Sequence, residues 1–159
     1  MKTVVLITCT KHKHEGTHKA EYLYSKSENF MKYLECARIL ADRRDIYIIS
    51  ALHKLLPLDK EIEWYDYTLA NRPIHEHYTW GKEVSEQIKV LYDVSETNFV
   101  VLADDIYSSA LLPYLPYMDT PLQGNCNPDG YESLDKYIKE FLLDNKSRND
   151  VEVKNERKN

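Results

Sequence analysis

Val4-Val5-Leu6-Ile7, followed after Thr8 by Cys9-Thr10-Lys11-His12-Lys13, decides how the fold of this chain is read. The apolar run is short, β-branched and bounded by polar residues, the signature of a buried strand. In an open α/β sheet, ligands bind beyond the carboxyl ends of the strands. The thiol, the hydroxyl and the two ammonium groups after the run therefore stand where such folds keep their sites. They suit an anionic or polar ligand.

Two more runs repeat the pattern. Ile46-Tyr47-Ile48-Ile49 leads into Ser50-Ala51-Leu52-His53, and Phe99-Val100-Val101-Leu102 leads into Ala103-Asp104-Asp105. Helical periodicity fills the intervals. Ser25-x-x-Glu28 has the form of a capping box. It predicts a helix with Phe30, Leu34, Ala37 and Ala41 inward, Met31 and Leu40 beside them, and an end near Arg43-Arg44. A second helix is expected over 74–92, burying Trp80, Val84, Ile88 and Leu91. A short third over 106–112 is stopped by Pro113 and Pro116. Pro121-Leu122-Gln123-Gly124 reads as a turn, and a last helix over 131–143 turns Leu134, Ile138, Phe141 and Leu142 inward. Residues 9–21 read as a polar loop and 55–74 as a long irregular one, a length that often marks function. Residues 144–159 form a charged tail expected to be disordered.

Alternating strands and helices predict a single three-layer α/β domain over 1–143, a small, mostly parallel sheet with helices on both faces. Right-handed crossovers would bring Cys9–Lys13, Ser50–Tyr67 and Ala103–Tyr107 to one edge of that sheet.

With 159 residues, 43% of them hydrophobic, the chain can bury a real core. Its net charge of -5 argues against charge-driven binding of duplex DNA, although a local basic patch remains compatible with it. No apolar stretch approaches the roughly 20 residues that span a bilayer, so no membrane partner is expected. The cysteines, Cys9, Cys36 and Cys126, are odd in number, widely spaced and without a Cys-x-x-Cys pair. With no leader-like segment, this predicts a reducing, cytoplasmic setting. Thirteen tyrosines offer apolar area with a polar tip, suited to ligand clefts.

The candidate chemistry follows from the three loops. Lys11 and Lys13, with Thr10 beside them, would hold an anionic group, or else form a solvated surface loop. The near absence of glycine separates this loop from a phosphate-cradling Gly-x-x-x-x-Gly-Lys. Cys9, with cations nearby, is a candidate nucleophile or a small strand-closing residue. In Trp64-Tyr65-Asp66-Tyr67, rings could stack on a base and Asp66 could accept from its N–H edge. Alternatively, the aromatics pin their own loop. Asp104 and Asp105 could serve as general base or ribose acceptor, or one of them as the cap of the next helix. Tyr107, one turn in, could face the same cleft. His12-x-His14 and His75-x-His77 invite a metal reading, since histidines two apart on an extended segment share a side, with Asp66, Asp104 or Asp105 to complete the site. Neither pair sits in an established ligand motif, so neither a metal nor another cofactor is assigned.

Taken in order, several segments resemble a family of small bacterial and phage proteins catalogued as a domain of unknown function. They are Ile7-Thr8-Cys9-Thr10-Lys11-His12-Lys13, Leu23-Tyr24-Ser25-Lys26-Ser27-x-x-Phe30, Ile49-Ser50-Ala51-x-His53-x-Leu55-Leu56-Pro57, Tyr65-Asp66-x-Thr68-Leu69 and Trp80. The resemblance covers the chain to about Leu122 and implies a compact α/β fold. The first motif is also similar to the Cys-Ser-x-x-Lys and Tyr-Ser signature of archaeosine synthase, which handles a modified deazaguanine base. That similarity implies that Cys9, Lys11, Tyr24 and Ser25 meet at a nucleobase or nucleotide site. One position departs from the family. Where its members carry a glycine before the two leucines of the second loop, this chain has Lys54. A positive φ there would strain the turn or reshape it around His53.

The combined expectation is an enzyme that processes a nucleotide or nucleobase, with the N-glycosidic bond as one point of attack. Its catalytic candidates are Asp66, Asp104 and Cys9. Thr10, Lys11, Lys13, Tyr24, Ser25, Ser50, His53, Tyr65 and Tyr107 are the ligand-binding candidates. The first alternative is a non-catalytic module that binds a nucleotide or a protein partner, of phage or host accessory type. The second is a metal-dependent hydrolase.

Overall fold

The computed structural model describes residues 1–123 and 130–158, with side chains described to residue 148; Gly124 and Cys126 lie outside the described residues. In chain order the elements are β1 (Lys2–Thr8), β2 (Thr17–Lys19), α1 (Ala20–Leu23), α2 (Glu28–Leu40), β3 (Ile46–Ser50), β4 (Lys54–Pro57), β5 (Glu61–Glu63), α3 (Ile74–Leu91), β6 (Thr97–Leu102), α4 (Asp105–Leu111), β7 (Met118–Asp119) and α5 (Tyr131–Lys158).

The main sheet has the order β4-β3-β1-β6-β7, and β2 with β5 forms a separate two-stranded ribbon. β1 pairs in parallel with β3 and β6, and β6 with β7; β4 is antiparallel to β3. This is the expected mostly parallel α/β sheet. Side chains alternate across it as a pleated strand requires. Val5, Ile7, Ile46, Ile48, Val100 and Leu102 pack into the layer that holds α2 and Leu134 and Ile138 of α5. Val4, Leu6, Tyr47, Ile49, Phe99 and Val101 pack into the layer that holds Trp80, Val84 and Ile88 of α3 and Ala110 and Leu111 of α4.

Several details differ from the sequence expectations. α2 is capped by Ser27, whose side chain accepts from the Phe30 N–H at 3.2 Å, so the cap falls two residues after Ser25. It ends at Leu40, and Arg43–Asp45 form a separate 3-10 turn. Met31, Leu91 and Leu142 face solvent, because each lies at the margin of its apolar stripe. The segments read as loops contain β2, β4 and β5, strands of three or four residues that are too short to show a period. α5 runs past Leu143 into the charged tail. Once a helix is nucleated, each added residue gains a hydrogen bond, and a charged segment without Pro or Gly can continue it.

Three features position the site. First, the chain leaves β1 for β3 on one side and then crosses to β6 on the other, so the strand order reverses at β1. Second, α3 meets α4 at Gly81, where an added Cβ would lie 2.1 Å from the Ala110 carbonyl oxygen. Third, the outer edge of β4 is occupied: the Leu55 N–H donates to Gln87 Oε1 at 3.0 Å, and the next outward position is Pro57, which has no N–H.

Lys54 adopts φ 61°, so the turn keeps the left-handed conformation without a glycine, at a cost of about 1–2 kcal/mol. Its Nζ meets Glu83 Oε2 at 2.8 Å. No helix among the described residues is long and apolar enough to cross a membrane.

Candidate functional site

The ends of β1, β3 and β6 converge. The Cys9 N–H donates to the Ile49 carbonyl at 3.1 Å, which ties the first strand-end loop to β3. Cys9 Sγ lies 3.5 Å from the hydroxyl of Tyr107 on α4. The Tyr107 ring packs edge-on against Trp80, with centroids 5.0 Å apart. Trp80 Nε1–H in turn donates to the Ser50 carbonyl at 2.9 Å. Ser50 Oγ accepts from the His53 N–H at 2.9 Å and sits 2.8 Å from the Tyr65 hydroxyl, which reaches the Tyr24 hydroxyl at 2.5 Å. Cys9, Tyr24, Ser50, His53, Tyr65 and Tyr107 thus form one network. Trp80, which the sequence marks as a core residue and part of a family motif, is its link to α3. Its place at the first buried position of α3 is the signal that could have found it.

Lys13 joins the network at the Tyr65 ring. It is only 7% exposed, an unusual state for a lysine in so polar a segment. Its Nζ donates to the carbonyls of Thr10 at 2.9 Å and Lys11 at 3.2 Å, and lies 4.7 Å from the Tyr65 ring centroid. Burial lowers its pKa, and the nearby Cys9 and Asp66 act in the opposite direction. The ammonium expected to grip a ligand is therefore folded back on its own loop, where it supplies a fixed positive field. Lys11 is exposed, and Thr10 Oγ1 donates to the His12 carbonyl at 3.0 Å.

The phenols of Tyr24, Tyr65 and Tyr107 are held far above their ordinary range, chiefly by burial, with the Cys9 charge adding to the shift. They remain neutral O–H groups across the physiological range, able to donate and to accept.

Other selected residues have different roles or places. Asp104 Oδ1 accepts from the N–H groups of Ile106 at 3.0 Å and Tyr107 at 3.4 Å, so its carboxylate caps α4. Asp66 is exposed at the rim of the network. Ser25 Oγ donates to the Tyr22 carbonyl at 2.6 Å and lies 3.2 Å from His14 Nε2. It belongs to a surface cluster in which His14 stacks on Tyr22, with ring centroids 4.5 Å apart. None of the contacts described for Ser25 reaches the network around Cys9. His75 and His77 lie on α3, where residues two apart do not share a face, so the extended-pair metal reading does not apply to them. Among the described residues, no group of three or more His, Cys, Asp or Glu could hold a metal ion.

His53 stacks edge-on against Tyr65 at 5.1 Å. Its pKa is lowered from 6.5, mainly by burial and secondarily by Lys60. A histidine whose folded pKa lies below its unfolded value disfavours the protonated folded state. Its stability contribution is complete above about pH 6.5 and is lost as pH falls through the lower folded value. Urea midpoints of wild type and His53→Gln should therefore converge as pH drops from 7.5 to 5; parallel curves would show that His53 carries no such linkage.

A family model described as a family of unknown function, DUF6884, matches residues 4–126, and the chain belongs to that family. No curated protein and no solved structure matches it.

Proposed function

We propose that this family member is a nucleotide- or nucleobase-processing enzyme whose ligand sits between the carboxyl ends of β1 and β6, with the N-glycosidic bond as a candidate point of reaction. The observation that carries this reading is the 3.5 Å contact of Cys9 with Tyr107, which joins the loops on either side of the strand-order reversal. Open α/β sheets bind ligands at that reversal. The similarity of the first motif to a base-handling signature favours a base-like ligand.

In this reading Lys11 meets the anionic part, and buried Lys13 supplies a fixed field. Tyr65 holds Lys13 in place rather than touching the ligand through its hydroxyl, which Tyr24 and Ser50 already engage. Cys9 is the available nucleophile, and Asp66 at the rim is the acid or base. Asp104 acts through Tyr107, which it positions by capping α4.

A thermal-shift panel of nucleobases, nucleosides, nucleotides, NAD and simple anions, with and without divalent ions, tests this. A ligand at a hundredfold its Kd stabilises by about 2.7 kcal/mol, which for a domain of this size is a rise of about 5–10 °C. A nucleotide hit weakened by Lys11→Ala, followed by turnover that Asp66→Asn abolishes while binding persists, is the expected result. Silence across the panel from a folded sample would overturn it. The engagement of Lys13, Tyr65 and Asp104 in internal hydrogen bonds favours one competing reading, a non-catalytic nucleotide-binding module. In that case Asp66→Asn would change affinity only.

A further inference from the structure

A cleft of about 290 Å³ opens beside this network, between the β3–β4 turn and α3. Its floor is apolar: Ala51, Leu69 and Trp80 are buried, and Tyr67 is half-buried. Glu76, Glu83 and one cation, Lys54, stand in its lining. Glu76 accepts from the Nε–Nη2 edge of Arg72, at 2.5 Å and 3.1 Å, and the Arg72 guanidinium lies over the Tyr67 ring at 5.2 Å. Glu83 meets Lys54 Nζ through Oε2 at 2.8 Å. The two carboxylates are thus not equivalent. One is fixed in a bidentate pair, and the other is held by a single flexible lysine.

We propose that this cleft is the seat of the ligand's ring, and that it takes a flat heterocycle carrying two adjacent N–H donors, of the amidine or guanine-edge type. This deepens the proposed function and rests on it. Three observations favour it. The volume lies at the small end of ligand sites and is ample for a ring. The floor is aromatic and apolar, which suits the faces of a ring. A carboxylate only accepts, so it selects donors, and a paired N–H edge meets it bidentately, a geometry that also strengthens the bond. Trp80 connects the cleft to the reacting end: its ring lines the cleft and packs on Tyr107, whose hydroxyl meets Cys9 Sγ.

The test uses the full chain with Trp64→Phe, so that Trp80 alone reports. Trp64 is 49% exposed and lies outside the cleft lining, so the background fold should survive. The emission of Trp80 is titrated with benzamidine and guanosine, which offer paired donors, and with benzoate, which offers paired acceptors. Benzamidine and guanosine should shift the emission, benzoate should not, and Glu83→Gln should weaken the first two by about tenfold or more. Equal responses to benzamidine and benzoate, no response to any probe, or a response that Glu83→Gln leaves unchanged would each overturn the proposal. A nucleotide that binds in the thermal-shift panel and is weakened by Lys11→Ala but not by Glu83→Gln would remove the cleft and leave the wider function standing. Failure of the whole panel would remove both.

Discussion

Replacing Gly81 by alanine is expected to destabilise the protein by about 3 kcal/mol or more, the upper part of the range for overpacking a tight contact. Helix propensity alone predicts the reverse, since alanine in a helix interior is favoured over glycine by about 1 kcal/mol. The packing decides. The new Cβ would lie 2.1 Å from the Ala110 carbonyl oxygen, 2.8 Å from its carbon and 3.1 Å from its Cβ. Two of these atoms are backbone and cannot rotate away, so α3 and α4 must separate. For a domain of this size the loss corresponds to a fall of about 6–12 °C in the thermal midpoint. Ala110→Gly should not rescue it, because the closest clash is with the carbonyl rather than the methyl. A midpoint unchanged or raised in Gly81→Ala, or restored by Ala110→Gly, would contradict the close approach described here. The damage should reach the candidate site as well. Gly81 follows Trp80 and Ala110 lies one turn after Tyr107, so separating the helices strains the Trp80–Tyr107 contact.

The second expectation concerns the hydroxyl chain. Tyr65→Phe removes the middle member and leaves the buried Tyr24 hydroxyl facing a ring edge, for a loss of about 1–3 kcal/mol. Tyr24→Phe removes only an end member, and the Tyr65 hydroxyl keeps Ser50, so it should cost less. The double variant should be less destabilised than the sum of the singles, because removing both partners of a buried pair leaves no orphan. Urea midpoints of the three variants measure this order. Additive losses, or a Tyr24→Phe that costs more than Tyr65→Phe, would mean that the chain is not coupled as its distances imply.

The sheet was legible because three runs of buried, largely β-branched residues recur with helical intervals, and the crossover rule then brings their ends together. Cys9, Ser50 and Tyr107 could be grouped on that argument alone. The short strands were not legible. Lys54-Leu55-Leu56-Pro57 offers neither alternation nor length, and its proline argues against a strand until the edge position is known. Lys13 could not be read as buried, because a lysine between two histidines gives no sign of whether its ammonium meets water or two carbonyls. The Asp104 cap was one of two readings that the sequence left balanced, since helix capping and chemistry use the same residue type at a strand end. Trp80 carried its signal in helical spacing, which locates a buried ring but not the carbonyl its N–H meets.

The plugged outer rim of β4 has a bearing on how the protein behaves when concentrated. An open sheet normally ends in a row of free amides that can recruit a stray strand and seed polymerisation. Here one outward amide is capped by Gln87 and the next position is Pro57, while the opposite rim, β7, is only two residues long. Among the described residues, neither border of the main sheet offers a long template for strand addition. At the main sheet, self-association and capture of extended peptides are therefore expected to proceed through side chains rather than through the backbone ladder, a limit that does not extend to the β2–β5 ribbon.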